Sequence, residues 1–396
     1  MININKKLHP NILNIFKKNI LKQYRIIIKL KPNSNNLIKK LNKNSNCTII
    51  HLINDLNIVC LIISHKFLST LIESPEVKFV SLDPELFLCG NKHFYEDKSQ
   101  DSQILNENSK LSGKNIGIGL IDSGIYPMDC FTKPKNRISL FKDLLNNFNY
   151  PYDDNGHGTS MCSIIGGKFI YKNSTIKNAH ECTFNVIKAF DKFNKSYSSL
   201  IFKSLDILYD KCEENNLKVI CITFELQEFN DFILNIFQHF FDKFSNKNII
   251  ILVPIGNNSS EYSSLKGLAM LNNCLTIGGT NLKYSSCGLT NNKLLKPTLL
   301  SICENIYLIN INTKYVPEKN NQYIYPTKFK YSYVEYFGTS ISCAYVSGLI
   351  ALLKQKNELM NINDCLSLLK ICCNKLDNID NSIQGLGTVN VNKLLE

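Results

Sequence analysis

Ile116-Gly117-Ile118-Gly119-Leu120-Ile121-Asp122-Ser123-Gly124 joins a short apolar run to a carboxylate and a glycine turn. The run predicts a strand buried on both faces, as in a parallel sheet. Phe184–Ala189, Val219–Phe224, Ile249–Val253 and Leu275–Ile277 are runs of the same kind. Between them, Leu200–Cys212 and Phe229–Phe244 carry apolar residues at helical spacing. Strands alternating with helices predict an α/β domain with a doubly wound, mostly parallel sheet over residues 113–396.

Upstream the texture differs. Residues 24–88 read strand, helix, strand, strand, helix, strand: Tyr24–Leu30, Asn36–Leu41, Thr48–Ile53, Ile58–Ser64, Lys66–Glu73 and Val77–Leu82. That βαββαβ order predicts a small α+β domain of ferredoxin-like type. Residues 89–112 are polar and lose periodicity, so an exposed linker is expected there. Residues 1–23 alternate Lys with Ile, Leu and Phe, without the 7–15-residue apolar core of a signal peptide. They are read as a basic leader of unknown role.

Composition narrows the function classes. The chain has 396 residues, 44% of them hydrophobic and 20% charged, an ordinary globular balance. No apolar stretch approaches the roughly 20 residues of a membrane span, so no transmembrane segment is expected. The net charge of +12 is concentrated: residues 1–54 hold eleven Lys and Arg and no acidic residue, leaving the remainder near +1. Neither interleaved aromatics nor a binding motif accompanies that excess, so no nucleic-acid partner is expected. The fifteen cysteines show no Cys-x-x-Cys pair. Cys60, Cys162, Cys221 and Cys343 lie in apolar runs and are expected as small core residues.

Two further motifs follow Asp122. Asn155-Gly156-His157-Gly158-Thr159 opens an apolar helix through Ile165, and Gly338-Thr339-Ser340 opens another through Leu353. A carboxylate at a strand end, with a histidine and a serine at helix starts, can converge above a parallel sheet. Serine needs a base to become a nucleophile, and the base needs a carboxylate to fix its tautomer. His157 would be that base, Asp122 its partner and Ser340 the nucleophile. A helix beginning at Ser340 aims free N–H groups at a developing oxyanion. The strand Ile251–Val253 leads to Asn257, a candidate second donor. Singly, Asp-Ser-Gly is an ordinary turn and Gly-Thr-Ser an ordinary cap; their joint order, Asp…His…Ser, is one of the chain orders of a serine triad.

On these residues the chain resembles the subtilisin-like serine proteases (subtilases, peptidase family S8) over 113–396, and their inhibitory propeptide over 24–88. Lys296-Pro297 and Gly385-Leu386-Gly387-Thr388-Val389-Asn390 are further matches. The resemblance implies a serine endopeptidase made as a zymogen, acting on protein or peptide substrates, with its own propeptide as intramolecular inhibitor and cleavage between about Leu86 and Ser112. It implies calcium without assigning ligands, and a secretory or endomembrane setting. The Asp153-Asp154 pair is read as a solvated loop. Ile255-Gly256-Asn257-Asn258, Ile277-Gly278-Gly279 and Ser285-Ser286-Cys287-Gly288 look most like the site-1 protease branch. Thr223-Phe224-Glu225 stands where the family has Ser-Leu-Gly on its substrate-binding strand, which implies that Glu225 favours basic side chains. Ala344 and Ser301-Ile302-Cys303 replace the usual proline and Ala-Pro-Gly. The alternative is a catalytically silent or weak subtilase-fold binding protein.

Overall fold

The structure, a computed structural model, describes residues 6–93, 110–171, 174–226, 230–259, 264–290, 292–304, 306–314, 318–319, 322–323 and 331–396. The larger part of the expected linker, 94–109, therefore lies outside the described residues. Two compact units emerge: Met1–Glu85 with Tyr197–Leu205 and Asn230–Ile236, and Leu86–Ser196 with Asp206–Phe229 and Phe237–Glu396. The division falls after Glu85, so Leu86–Leu88 belong with the second unit.

In the first unit, Gln23–Leu30 is a central strand because Tyr24, Ile26, Ile28 and Leu30 alternate into a core with Leu37, Leu41, Leu68 and Ile72. It pairs antiparallel with Ile58–Ser64 on one side and Val77–Leu82 on the other; Cys47–Ile53 completes the sheet beyond Ile58–Ser64. The helices Asn35–Lys43 and His65–Glu73 make this the expected ferredoxin-like order. Residues 6–23, read as a basic leader, pack onto this unit. Pro10–Lys17 is a helix whose Ile12 is buried in the same core, and Leu8 bridges to Val80. Lys7 Nζ donates to the carbonyls of Ile72 and Ser74 at 2.9 and 2.7 Å, capping the end of His65–Glu73.

The second unit is built on a nine-stranded sheet in the order 373–374, 388–389, 299–301, 274–279, 250–254, 217–222, 117–122, 183–188, 138–143. Neighbours run parallel except at the terminal Cys373–Asn374. Strand Gly117–Asp122 is buried throughout, as its unbroken apolar run requires. Helix Thr339–Lys356 is buried from Thr339 to Lys354 and runs through the core rather than over the surface. The strand expected over Val219–Phe224 ends instead at Ile222; Phe224–Leu226 leaves the sheet and pairs with another partner. All fifteen cysteines are free, and the four expected in the core are buried. Among the described residues no helix is long and apolar enough to cross a membrane.

Candidate active site

Asp122 closes the strand that lies between 183–188 and 217–222. The chain leaves that strand toward 138–143 and 183–188, then returns on its other side at 217–222. Asp122 thus sits at the carboxyl end of a strand where the winding reverses, the place where open α/β sheets hold their ligands. Four donors or ring contacts fix its fully buried carboxylate. Ser123 N–H donates to Oδ1 at 2.7 Å, Thr223 Oγ1 to Oδ2 at 2.5 Å, and His157 Nδ1 lies 3.0 and 2.9 Å from the two oxygens.

His157 opens helix His157–Gly166 after Gly156. The next residue has no room for a side chain: a Cβ on Gly158 would stand 2.1 Å from the Gly124 carbonyl oxygen. That close approach brings the helix start onto the Asp122 turn. Burial pulls the His157 ring toward its neutral form, but the Asp122 charge and hydrogen bond, then the Cys89 carbonyl, overcome it and raise its pKa above the ordinary 6.5. Both ring nitrogens face oxygen acceptors, since Nε2 lies 3.3 Å from the Cys89 carbonyl. That arrangement favours the doubly protonated ring.

The solvated loop expected at Asp153-Asp154 is not what forms. Asp153 is fully buried and accepts from Ser123 Oγ at 2.9 Å, Gly156 N at 2.7 Å, and Thr159 N and Oγ1 at 2.9 and 2.7 Å. The physical reason is that a turn preceding a helix leaves N–H groups unsatisfied, and a carboxylate aimed inward satisfies them. Buried Lys188 balances the charge: its Nζ donates to Asp154 at 2.5 Å and to the Ser123 carbonyl at 2.7 Å. Among the described residues no group of three or more His, Cys, Asp or Glu is placed to hold a metal ion.

Ser340 lies in the first turn of Thr339–Lys356, its Oγ buried and without a hydrogen-bond partner among the described residues. Asn257 is oriented by Thr339, whose N–H donates to Asn257 Oδ1 at 3.0 Å. Its amide nitrogen therefore points the other way, and lies 3.2 Å from where a Cβ on Gly338 would stand. The expected quartet of Asp122, His157, Ser340 and Asn257 is thus gathered around one cleft of the second unit. Thr223, expected to bind substrate, also orients Asp122 through its hydroxyl, a role the sequence did not reveal.

A segment of the chain itself runs along this cleft. Leu86–Leu88 pairs antiparallel with Phe224–Leu226, and Asn91–His93 pairs antiparallel with Glu335–Phe337, the strand that leads into Ser340. Cys89 N–H donates to the Thr223 carbonyl at 2.8 Å. Burial, and then the Glu225 carboxylate beside it, push the Cys89 thiol well above its ordinary pKa. Glu225 also accepts the Asn257 N–H at 3.0 Å and lines a cavity of about 260 Å³ with Phe224, Ile255, Gly256, Leu268 and Ala269.

This mostly parallel nine-stranded sheet, with Asp122 at its switch point, is the fold of the subtilisin-like serine peptidases. It matches the Staphylococcus aureus epidermin leader peptide processing serine protease EpiP with a TM-score of 0.67 at 17% identity, covering 95% of this chain and 98% of that one. It matches fervidolysin from Fervidobacterium pennivorans, a keratinolytic enzyme related to subtilisin, with a TM-score of 0.66 at 14% identity, covering 94% and 61% of the two chains. Residues 113–387 match the Subtilase family (Peptidase_S8), and the chain belongs to that family. Serine protease AprX of Bacillus subtilis is 21% identical over 317 residues, which is 74% of this chain and 69% of that protein. Subtilisin-like protease 1 of Plasmodium berghei is 24% identical over 257 residues, 62% of this chain; the match spans only 40% of that relative's length. The likeness to the site-1 protease branch rests on residues 255–258, 277–279 and 285–288 alone.

Proposed function

We propose that this subtilase is a serine endopeptidase made as a zymogen, with Ser340 as nucleophile, His157 as base, Asp122 as its orienting carboxylate and Asn257 as oxyanion donor. The observation that carries this reading is the Asp122 carboxylate 2.9 Å from His157 Nδ1, with His157 Nε2 and Ser340 Oγ on the same side of the cleft. With Nδ1–H held by Asp122, neutral His157 presents Nε2 as acceptor for the Ser340 proton. Ser340 Oγ then attacks the substrate carbonyl. The oxygen that gains charge is met by the Asn257 amide and by N–H groups at the start of Thr339–Lys356. His157 passes its proton to the leaving amine, and water releases the acyl group by the same route in reverse.

Substrate would bind as the chain's own 86–88 segment does, antiparallel to Thr223-Phe224-Glu225. Glu225 lies beside the Cys89 side chain, so a basic residue placed like Cys89 would gain a charge-assisted hydrogen bond. Residues 24–88, with the docked helix before them, would act as the inhibitory propeptide. A silent binding fold would have no need of four converging groups. A fluorophosphonate, which reacts with an activated serine, tests the reading: it should label the processed protein and fail on Ser340→Ala.

A further inference from the structure

The cleft segment meets the site in one register only. Cys89 donates its N–H to the Thr223 carbonyl at 2.8 Å, and its own carbonyl oxygen lies 3.3 Å from His157 Nε2. The next residue, Gly90, has φ +141°, and a Cβ built on it would stand 2.6 Å from Ser340 Oγ and 3.4 Å from His157 Nε2. Strand pairing holds the chain on both sides of this point, with Leu88 opposite Phe224 and Asn91 opposite Phe337. The Cys89 thiol rests beside Glu225, and Glu225 lines the cavity of about 260 Å³.

We infer that the bond the protein cuts in its own chain is Cys89–Gly90, with Cys89 as the residue preceding the cut and Gly90 as the new amino terminus. The inference rests on the protease reading above and adds the bond itself. Ser340 Oγ bonds to the Cys89 carbonyl carbon while His157 takes the hydroxyl proton. The Cys89–Gly90 C–N bond breaks and His157 gives that proton to the Gly90 nitrogen. Water then cleaves the acyl ester, leaving a Cys89 carboxylate and a restored Ser340. No oxidant or further reactant is needed. Before attack the Cys89 carbonyl oxygen must turn from His157 to the Asn257 amide, which also frees Nε2 to act as base.

Gly90 is the residue this geometry demands. Any side chain would collide with Ser340, and the left-handed φ is one that other residues rarely adopt. Gly90→Ala should therefore slow the cut at least tenfold.

The test is to express the full chain, follow its intact mass with time and sequence the new amino terminus. The wild type should yield a fragment beginning Gly90-Asn91-Lys92, Ser340→Ala should remain whole, and Gly90→Ala should be processed slowly. A fragment beginning at Asn91 or anywhere in 94–112, cleavage of Ser340→Ala at the wild-type rate, or Gly90→Ala processed normally would overturn the inference. A wild-type chain that stays whole also overturns it. Fluorophosphonate labelling of the same samples separates the two levels: a labelled serine with the wrong terminus removes only the Cys89–Gly90 assignment, whereas an unlabelled, uncut chain removes the protease reading as well.

Discussion

At the scale of single residues, Ser340 and Asn257 carry separable parts of the chemistry. Ser340→Ala should lower turnover by about 10⁶, because nucleophile and base act as a unit. Asn257→Ala should cost about 10²–10³ in kcat with little change in KM, because its amide meets charge that exists only in the transition state. Steady-state peptide hydrolysis reads both, and a change confined to KM would remove Asn257 from the oxyanion site. Glu225→Gln should lower the preference for Arg over norleucine at the position preceding the cut by about ten- to a hundredfold, the value of a charge-assisted hydrogen bond. An unchanged kcat/KM ratio at that position would show that Glu225 only supports Asn257. His157 sets the pH dependence. Its pKa is raised in the intact chain, and catalysis needs the neutral ring, so the first cut should lose rate as pH falls through a midpoint above 6.5. The Cys89 carbonyl contributes to that raise, so peptide hydrolysis by the processed enzyme should fall off at a lower pH than the first cut does. Midpoints in the opposite order would contradict the resting contact between Cys89 and His157.

At the scale of elements, the site depends on how closely a helix start is pressed onto a strand end. Gly158→Ala would force a methyl against the Gly124 carbonyl, and overpacking of this kind costs about 1–3 kcal/mol. Thermal unfolding should show a lowered Tm, and fluorophosphonate labelling should slow because Asp122 and His157 are pushed apart; an unchanged Tm would mean the turn yields freely. This contact was visible in sequence only as Gly-His-Gly. The strand ends and the Asp…His…Ser order were legible because a fully buried parallel strand must be a continuous apolar run, and Ile116–Ile121 is one. Burial of Asp153 was not legible. Its donors are Gly156 and Thr159 close by and Ser123, 30 residues upstream, which reaches it only when the chain folds. Docking of Pro10–Lys17 was hidden for a related reason, since a lysine-rich amphipathic helix has the same pattern whether its apolar stripe meets solvent or a core. The register in which residues 86–93 pair was not legible, because it is set by their partners Phe224–Leu226 and Glu335–Phe337.

At the scale of the whole molecule, the proposal is that one chain carries both the enzyme and its blocker. Residues 6–88, expressed separately, should therefore inhibit the processed 90–396 fragment in peptide hydrolysis, and failure to bind would remove the propeptide role. The first unit's own stability should lean on Asp83. This buried carboxylate pairs with Arg25 at 2.6 Å and caps the helix beginning at Ser198 through the Ser199 N–H at 2.9 Å. Asp83→Ala removes the carboxylate but leaves Arg25 its Ser199 hydroxyl at 2.7 Å and the Tyr197 ring, so the loss should be about 1–3 kcal/mol. Urea unfolding of the full Ser340→Ala chain, which cannot cut itself on this account, gives that value without interference from processing. The central claim is that Ser340 is a nucleophile activated by His157 and Asp122. The measurement that reaches it most directly is fluorophosphonate labelling of the processed protein, with the modified residue located by peptide mass mapping. One phosphonylated residue is expected, Ser340, with labelling lost in Ser340→Ala and His157→Ala; label on a different serine, or none on processed wild type, would mean that Ser340 is not the activated nucleophile.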